Sequence, residues 1–356
     1  MSDQPIEIRP GETLPLESLQ SYLVSNVPGL KHIQEIRQFP GGYSNLTYLL
    51  MTNIGELVLR RPPIGADIKS AHDMAREFKV LSLLHNVPFN APAPIFYCGD
   101  SEVIGAPFYL MERIHGIILR NRPPKGLQLP PERMRQISEA AVDKLAGLHT
   151  MDIHSTGLIQ LGKPEGYTAR QTNGWIQRYR NAQTDHVDAL DATATWLETH
   201  IPAEPAPSFI HNDFKYDNLI LDPSNPSKIL AVLDWEMATV GNPMMDLGTT
   251  LAYWTEAPEA EALPLAAANL SWLPGNLDRA EVLERYIAKT EASSTNYIFY
   301  FAFGAFKVAT IVQQIYARYR KGISKDPRFA NLDKAVQHFG NLAEHAIDKQ
   351  RIGNLI

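Results

Sequence analysis

The spacing of apolar positions changes character near residue 130. Before it, short runs of β-formers dominate. Leu16–Asn26 has a short helical pattern, and Ile33–Gln38 and residues 47–51 then flank a Gly41-Gly42 turn, which predicts a β-hairpin. Residues 56–61 give a third strand, ended by Pro62, Pro63 and Gly65. Residues 70–85 have helical period, with Glu77 close to the face of Leu81 and Leu84, and Pro88, Pro92 and Pro94 stop the helix. Residues 95–98 and 107–112 complete a unit of five strands and one main helix. Beyond Pro130, residues 131–151 and 175–200 predict long helices. A second hairpin is expected where Leu219–Leu221 and residues 229–233 flank Asp222-Pro223-Ser224-Asn225-Pro226, and helices return from Met244. Residues 298–317 approach the length of a membrane span, but Lys307, Gln313 and Gln314 interrupt them, which predicts a buried helix and no membrane partner.

Composition fits this α+β reading. The 356 residues, 44% hydrophobic and 20% charged, suffice for two lobes, an antiparallel-sheet lobe at 1–113 and a mainly helical lobe at 114–356. A formal net charge of −6 without long single-sign runs gives no footprint for nucleic acid or a membrane surface. The single cysteine, Cys98, excludes an intramolecular disulfide and a multi-thiolate zinc site, and points to a reducing compartment, the cytoplasm. Residues 1–15 lack the basic-then-apolar order of a secretory signal. Oligomeric state is left open.

The chemistry concentrates in His211-Asn212-Asp213-Phe214-Lys215-Tyr216-Asp217-Asn218 and, after the second hairpin, Leu233-Asp234-Trp235-Glu236. Phosphoryl transfer needs a carboxylate to orient the attacking hydroxyl and oxygen ligands to hold Mg²⁺ against the phosphates. Asp213, with Asn218 five positions on, fits the kinase catalytic-loop pattern His-x-Asp-x-x-x-x-Asn, and Asp234 stands where a second metal-binding carboxylate belongs. Each residue alone is commonplace near turns. The ordered set around a hairpin is not.

These segments, with Gly241-Asn242-Pro243-Met244-Met245-Asp246-Leu247, resemble the aminoglycoside phosphotransferase family, and within it the branch found as the kinase-like domain of some acyl-CoA dehydrogenases. The resemblance runs from about Ile33 to about Gly322. It implies a two-lobed protein-kinase-like fold with ATP in the cleft, and transfer of the γ-phosphoryl group to the hydroxyl of a small molecule. It further implies Asp213 as catalytic base, Asn218 and Asp234 as Mg²⁺ ligands, and Lys215 near the transferred phosphate. His211 and Asp246 are expected to brace the loop.

In the first lobe, Phe39-Pro40-Gly41-Gly42-Tyr43-Ser44-Asn45 joins two strands as a phosphate-covering loop would, with Gly41, Gly42, Ser44 and Asn45 as its contacts; in isolation a plain hairpin turn is the better explanation, and its position two strands before the Glu77 helix, with the Ser-Asn pair of the resembled branch, favours the phosphate loop. Where protein kinases pair a strand lysine with a helix glutamate, this chain has Arg60 and Glu77, with Arg61 the alternative claimant and a solvated Arg-Arg strand end the bland reading. Residues 111–114 should form the hinge to adenine, with Met111, Glu112 and Ile114 as contacts. Asn212 in place of the kinase arginine, and no Ala-Pro-Glu after Asp234, argue against a regulated protein kinase.

The acceptor stays open. Residues 256–291 carry seven acids and three bases, which would suit a polycationic aminoglycoside; residues 301–325 carry five bases and no acid, which would suit an anionic acceptor such as a hydroxyacyl-CoA, the side to which the dehydrogenase-linked resemblance leans; another amino-alcohol or sugar kinase is the further alternative. Trp175, Arg178, Lys307, Arg318 and Arg320 are candidate acceptor contacts, and solvated helix faces explain the same charges. The rival of another class is a catalytically inactive, nucleotide-binding scaffold.

Overall fold

A computed structural model describes residues 4–40, 45–63, 73–263, 265, 269–324 and 326–356. The chain divides into two compact units, residues 1–118 with 219–237, and residues 119–218 with 238–356.

The first unit opens with α1 (Leu16–Asn26), followed by β1 (Ile33–Gln38), β2 (Leu46–Thr52), β3 (Gly55–Arg61), α2 (Met74–Leu84), β4 (Pro94–Cys98) and β5 (Phe108–Glu112). The five strands form one antiparallel sheet in the order β1-β2-β3-β5-β4. Strand periodicity decides which side chain serves which face. Leu57 and Leu59 of β3 join Leu46, Tyr48, Leu50, Phe108 and Leu110 in a core closed by Leu19 and Leu23 of α1. Arg60 belongs to the alternate set and pairs across the strands with Tyr109. Asp73 caps α2 by accepting from the Arg76 N–H at 3.0 Å, and the helix buries Met74, Glu77, Val80, Leu81 and Leu84. The part of the expected 70–85 helix before residue 73 lies outside the described residues.

The second unit begins with α3 (Pro131–His149), α4 (Tyr167–Ala182), α5 (Asp188–Thr199) and β6 (Ser208–Ile210). The helix expected over 175–200 is two helices. Between them lies Gln183-Thr184-Asp185-His186-Val187, where Asp and Thr compete with the helix for backbone bonds, and Asp188 and Asp191 then suit the positive end of α5. The chain next returns to the first unit as the hairpin β7 (Leu219–Leu221) and β8 (Ile229–Val232). Ile117 bridges to Leu221, and Ile220 and Ala231 pack with Ile118 in a small core of their own. Gly116 permits this approach, because a Cβ there would meet the Ile220 side chain and the Leu221 carbonyl. The first unit therefore runs past the 113/114 boundary read from the sequence and includes a segment from far along the chain.

The second unit resumes with β9 (Thr239–Gly241), paired to β6, then α6 (Pro243–Tyr253), α7 (Ala257–Ala262), α8 (Arg279–Thr290), α9 (Tyr297–Arg320) and α10 (Leu332–Lys349). α9 is long and apolar enough to cross a membrane, yet most of it is buried within the protein. It meets α6 backbone to backbone, where Gly248 and Gly304 face each other's helix.

Candidate functional site

The residues named from the sequence fall into two constellations, one in each unit. In the second unit, β6 delivers the loop His211–Lys215. The Asp246 side chain, fully buried in the first turn of α6, holds this loop by its backbone: it accepts from the His211 N–H at 2.7 Å and the Asn212 N–H at 2.8 Å. His149 Nε2 lies 3.0 Å from the same carboxylate, and His149 Nδ1 lies 2.6 Å from the Tyr286 hydroxyl. Burial alone would raise the Asp246 pKa, but the hydrogen bond and charge of His149, with His211 and Lys307 nearby, outweigh it and hold the carboxyl below its ordinary value.

Asn212 occupies the left-handed region at φ 67°, tolerable for asparagine, and turns the chain so that Asp213 leaves the pinned loop. Lys215 Nζ donates to both Asp213 carboxylate oxygens, at 2.8 and 2.7 Å. Asn218 Nδ2 donates to the Asp213 carbonyl at 2.8 Å and to its carboxylate at 3.1 Å. The five-residue spacing thus closes a small ring: the 3-10 turn Tyr216–Asn218 carries the amide back onto the aspartate. Burial disfavours the Lys215 charge, but Asp213 beside it prevails and raises the ammonium pKa, and the same ammonium stands 4.5 Å over the Tyr253 ring. Asp213 retains 17% side-chain exposure. The Asn218 amide nitrogen is committed to Asp213, so its carbonyl oxygen is the atom it can offer a cation.

In the first unit, Arg60 gathers carboxylates. Its Nη1 lies 3.1 Å from Glu77 Oε1, and its Nη2 lies 2.6 Å from Asp234 Oδ1 and 3.1 Å from Glu236 Oε2. Asn45 Nδ2 donates to Glu236 Oε2 at 2.7 Å. Arg61, one residue on, faces the other side of the sheet and gives its guanidinium to the Pro62 and Ile104 carbonyls. Strand alternation thus selects Arg60 as the partner of Glu77, and both arginines are buried, so neither is a solvated strand end. Burial works against the Arg60 charge, but Asp234 and Glu77 raise its pKa. Glu77 moves up: burial outweighs the pull of Arg60, with the Tyr109 hydroxyl as a further neighbour. Asp234, like Asn212, sits in the left-handed region, at φ 66°.

Three carboxylates around one guanidinium leave an excess of negative charge, and Asp234 keeps 31% side-chain exposure. That donor set fits a divalent cation. Among the described residues no group of three or more His, Cys, Asp or Glu could hold a metal on its own. Mg²⁺ asks for less, because it is held by one or two carboxylates with waters and phosphate oxygens completing its shell.

Gly41, Gly42 and Ser44 lie outside the described residues; of the four residues named as that loop's phosphate contacts, Asn45 is described. Of the hinge contacts, Met111 is buried in β5, while the Glu112 N–H is spent on the Ala93 carbonyl at 2.9 Å and its carboxylate accepts from the Ala93 N–H at 3.0 Å. Ile114 packs against the Ile118-Ile220-Ala231 core. Sequence reasoning missed His149, Tyr286 and Tyr253, which are distant in the chain and carry no local signature. It quoted Glu236 without giving it a role, although its place two residues after Asp234 was the available signal. Of the candidate acceptor contacts, Lys307 is buried against the Asn212 carbonyl, Arg178 stacks on Trp175 at 4.6 Å, and Arg320 engages the Tyr316 hydroxyl at 2.9 Å.

Residues 35–283 match the family described as the phosphotransferase enzyme family. Acyl-CoA dehydrogenase family member 11 of Rattus norvegicus is 32% identical over 89% of this chain, and family member 10 of Mus musculus is 33% identical over 94%. The chain spans 41% and 31% of those two proteins, respectively. A solved structure from Ralstonia eutropha, provisionally called an aminoglycoside phosphotransferase, is 30% identical with a TM-score of 0.78, covering 95% of this chain and 99% of that one. Choline kinase from Cryptosporidium parvum shares the fold at 15% identity, with a TM-score of 0.61 and coverage of 94% and 97%. The fold is protein-kinase-like, an antiparallel sheet followed by a mainly helical remainder.

Proposed function

We propose, because the chain belongs to the phosphotransferase enzyme family, that it moves the γ-phosphoryl group of ATP to a hydroxyl of a small molecule. The observation that carries this reading is the Asp213 carboxylate, held by Lys215 and Asn218 on a loop whose backbone is fixed by Asp246. Asp213 is the proposed base, accepting the proton of the attacking hydroxyl. Lys215 would follow the transferred phosphoryl group and offset its charge. Asp234 is the proposed Mg²⁺ ligand, with Asn218 the second that the kinase pattern calls for, and the ion would supply charge neutralisation of the phosphates. Arg60, braced by Glu77, takes the place of the phosphate-binding lysine.

The dehydrogenase names of the relatives, with the excess of bases over acids in residues 318–325, favour an acyl-derived, anionic acceptor such as a hydroxyacyl-CoA over a polycationic antibiotic. Buried, unpaired Cys98 supports placing the protein in a reducing compartment, the cytoplasm. The test is a mass-spectrometric screen with Mg-ATP across hydroxyacyl-CoAs, sugars, amino alcohols and aminoglycosides, repeated with Asp213→Asn and Asp234→Ala. Transfer should fall about 10²–10⁴-fold in Asp213→Asn with ATP binding retained, the usual contribution of a catalytic base. Asp234→Ala should lose Mg-ATP use altogether. Equal transfer by wild type and Asp213→Asn would overturn the assignment, and ATP binding without transfer to any acceptor would favour the scaffold.

A further inference from the structure

Lys307 is a buried cation in the middle of an apolar helix, and it makes no ion pair among the described residues. Its Nζ donates to the Asn212 carbonyl at 2.8 Å, with the Thr249 hydroxyl at 3.4 Å, the Asn212 side-chain oxygen at 3.5 Å and the Trp175 ring 5.6 Å away. Thr249 spends its own proton on the Met245 carbonyl at 2.9 Å and so presents a lone pair to the ammonium. A methionine or leucine would pack in such a helix without the desolvation penalty that a charge incurs.

The carbonyl that Lys307 holds belongs to the peptide joining Asn212 to Asp213. The N–H of that peptide donates to His211 Nδ1 at 3.2 Å, and the preceding peptide's N–H, that of Asn212, donates to Asp246. Asn212 is the left-handed residue of the loop, a conformation that persists only where the surroundings over-determine it. Lys307 is the positive half of that grip and Asp246 the negative half.

We propose that Lys307 is a positioning residue for phosphoryl transfer: its ammonium fixes the Asn212–Asp213 peptide and thereby aims the Asp213 carboxylate. The inference rests on Asp213 being the base. A charge-assisted bond to a carbonyl is roughly twice as strong as a neutral one, so the grip depends on the ammonium being protonated. Burial pulls the Lys307 pKa down to about 8, against the attraction of Asp246 and Asp213, while Lys215 and Arg178 add to the lowering. The charged groups facing it are therefore Asp246 from α6, Asp213 and Lys215 from the loop, and Arg178 from α4, with His149 and His211 acting on it through Asp246. As the pH rises through about 8 the ammonium loses its proton, and with it the charge that strengthens its bond to the carbonyl.

The full chain is compared by hydrogen exchange as wild type, Lys307→Met and Lys307→Arg, reading residues 209–218 against residues 298–306. Lys307→Met should speed exchange in 209–218 at least tenfold and leave 298–306 within twofold, and Lys307→Arg should recover part of the protection. Unchanged exchange in 209–218 overturns the proposal. Should Lys307→Met not fold, the wild type decides: from pH 7 to 9.5, protection of 209–218, corrected for the intrinsic base-catalysed rate, should fall about tenfold through pH 8 while that of 298–306 holds. Constant protection overturns it. With Mg-ATP, phosphate release by Lys307→Met should show a lower kcat at unchanged KM for ATP, and the opposite split counts against it. A wild type without turnover would bear on the phosphotransfer reading alone, since exchange reads the loop without chemistry.

Discussion

Asp246 is a fully buried charge held by the His211 N–H, the Asn212 N–H and His149, and its stability contribution has a definite sign. An aspartate in the unfolded chain titrates near about 3.9. In the folded protein the value is lower, because His149 and the neighbouring positive groups outweigh burial. A group depressed in this way contributes stability above the unfolded value and loses it as the pH falls through the folded one. Removing the carboxylate in Asp246→Ala leaves the His211 and Asn212 N–H groups without their partner and should cost about 3–5 kcal/mol at pH 7, the usual range for breaking a buried charged network. In Asp246→Asn the acid dependence should flatten. Urea unfolding at pH 7, 5, 4 and 3.5 checks this: the gap between wild type and Asp246→Asn should hold from pH 7 to 5 and narrow below 4, and a gap that widens in acid would sink the assignment. At this scale the sequence was legible where a contact follows from spacing along the chain, as with the Asn218 amide closing on Asp213. It was silent where the role comes from tertiary proximity. His149 reaches Asp246 from 97 positions away, and nothing in its neighbourhood marks it.

The elements hold those residues at their separations. α6 carries Asp246 and Thr249, α9 carries Lys307, and the two helices approach until their backbones touch: a Cβ on Gly304 would meet the Gly248 carbonyl and the Thr249 nitrogen, and one on Gly248 would meet the Tyr300 carbonyl. Backbone cannot rotate away as a flexible side chain can. Gly304→Ala should therefore destabilise by about 1–3 kcal/mol through overpacking, even though alanine is the better helix former by up to about 1 kcal/mol. Denaturant unfolding measures the cost. The same variant should speed exchange in 209–218, because pushing α9 off α6 separates Lys307 from the Asn212 carbonyl. Unaltered stability and exchange would show that the crossing has slack. Strand elements were readable because β-branched and apolar residues alternate between Gly and Pro stops, and that alternation also puts Arg60, and not Arg61, beside Glu77. The break between α4 and α5 was harder to see, since the apolar period continues from Trp175 to Leu197 while Thr184 and Asp185 interrupt the helix only locally.

At the scale of the whole molecule, the sequence pattern showed an antiparallel sheet followed by helices, but not that the first unit takes back residues 219–237 after a hundred residues of the second. Periodicity reports what a segment is, and long-range pairing determines where it goes. The hairpin of β7 and β8 is short, and two-stranded hairpins are marginal in water without a surface to pack on. Its surface here is supplied by Ile118, and its register by the bridge in which the Leu221 N–H donates to the Ile117 carbonyl at 2.8 Å and the Ile117 N–H returns to the Leu221 carbonyl at 2.9 Å. The Val232 N–H adds a bond to the Asn90 carbonyl at 2.9 Å. All three partners lie before residue 119. A fragment of residues 119–356 should consequently contain a second unit interrupted by an unstructured 219–237, the segment that bears Asp234. In that fragment the amides of 219–221 and 229–232 should exchange like those of an open chain, and residues 1–118 supplied as a separate polypeptide should restore protection to both strands. Protection of the hairpin in the fragment alone would mean that β7 and β8 stand on contacts within 119–356, and that residues 1–118 are not what fixes the Asp234 segment in place.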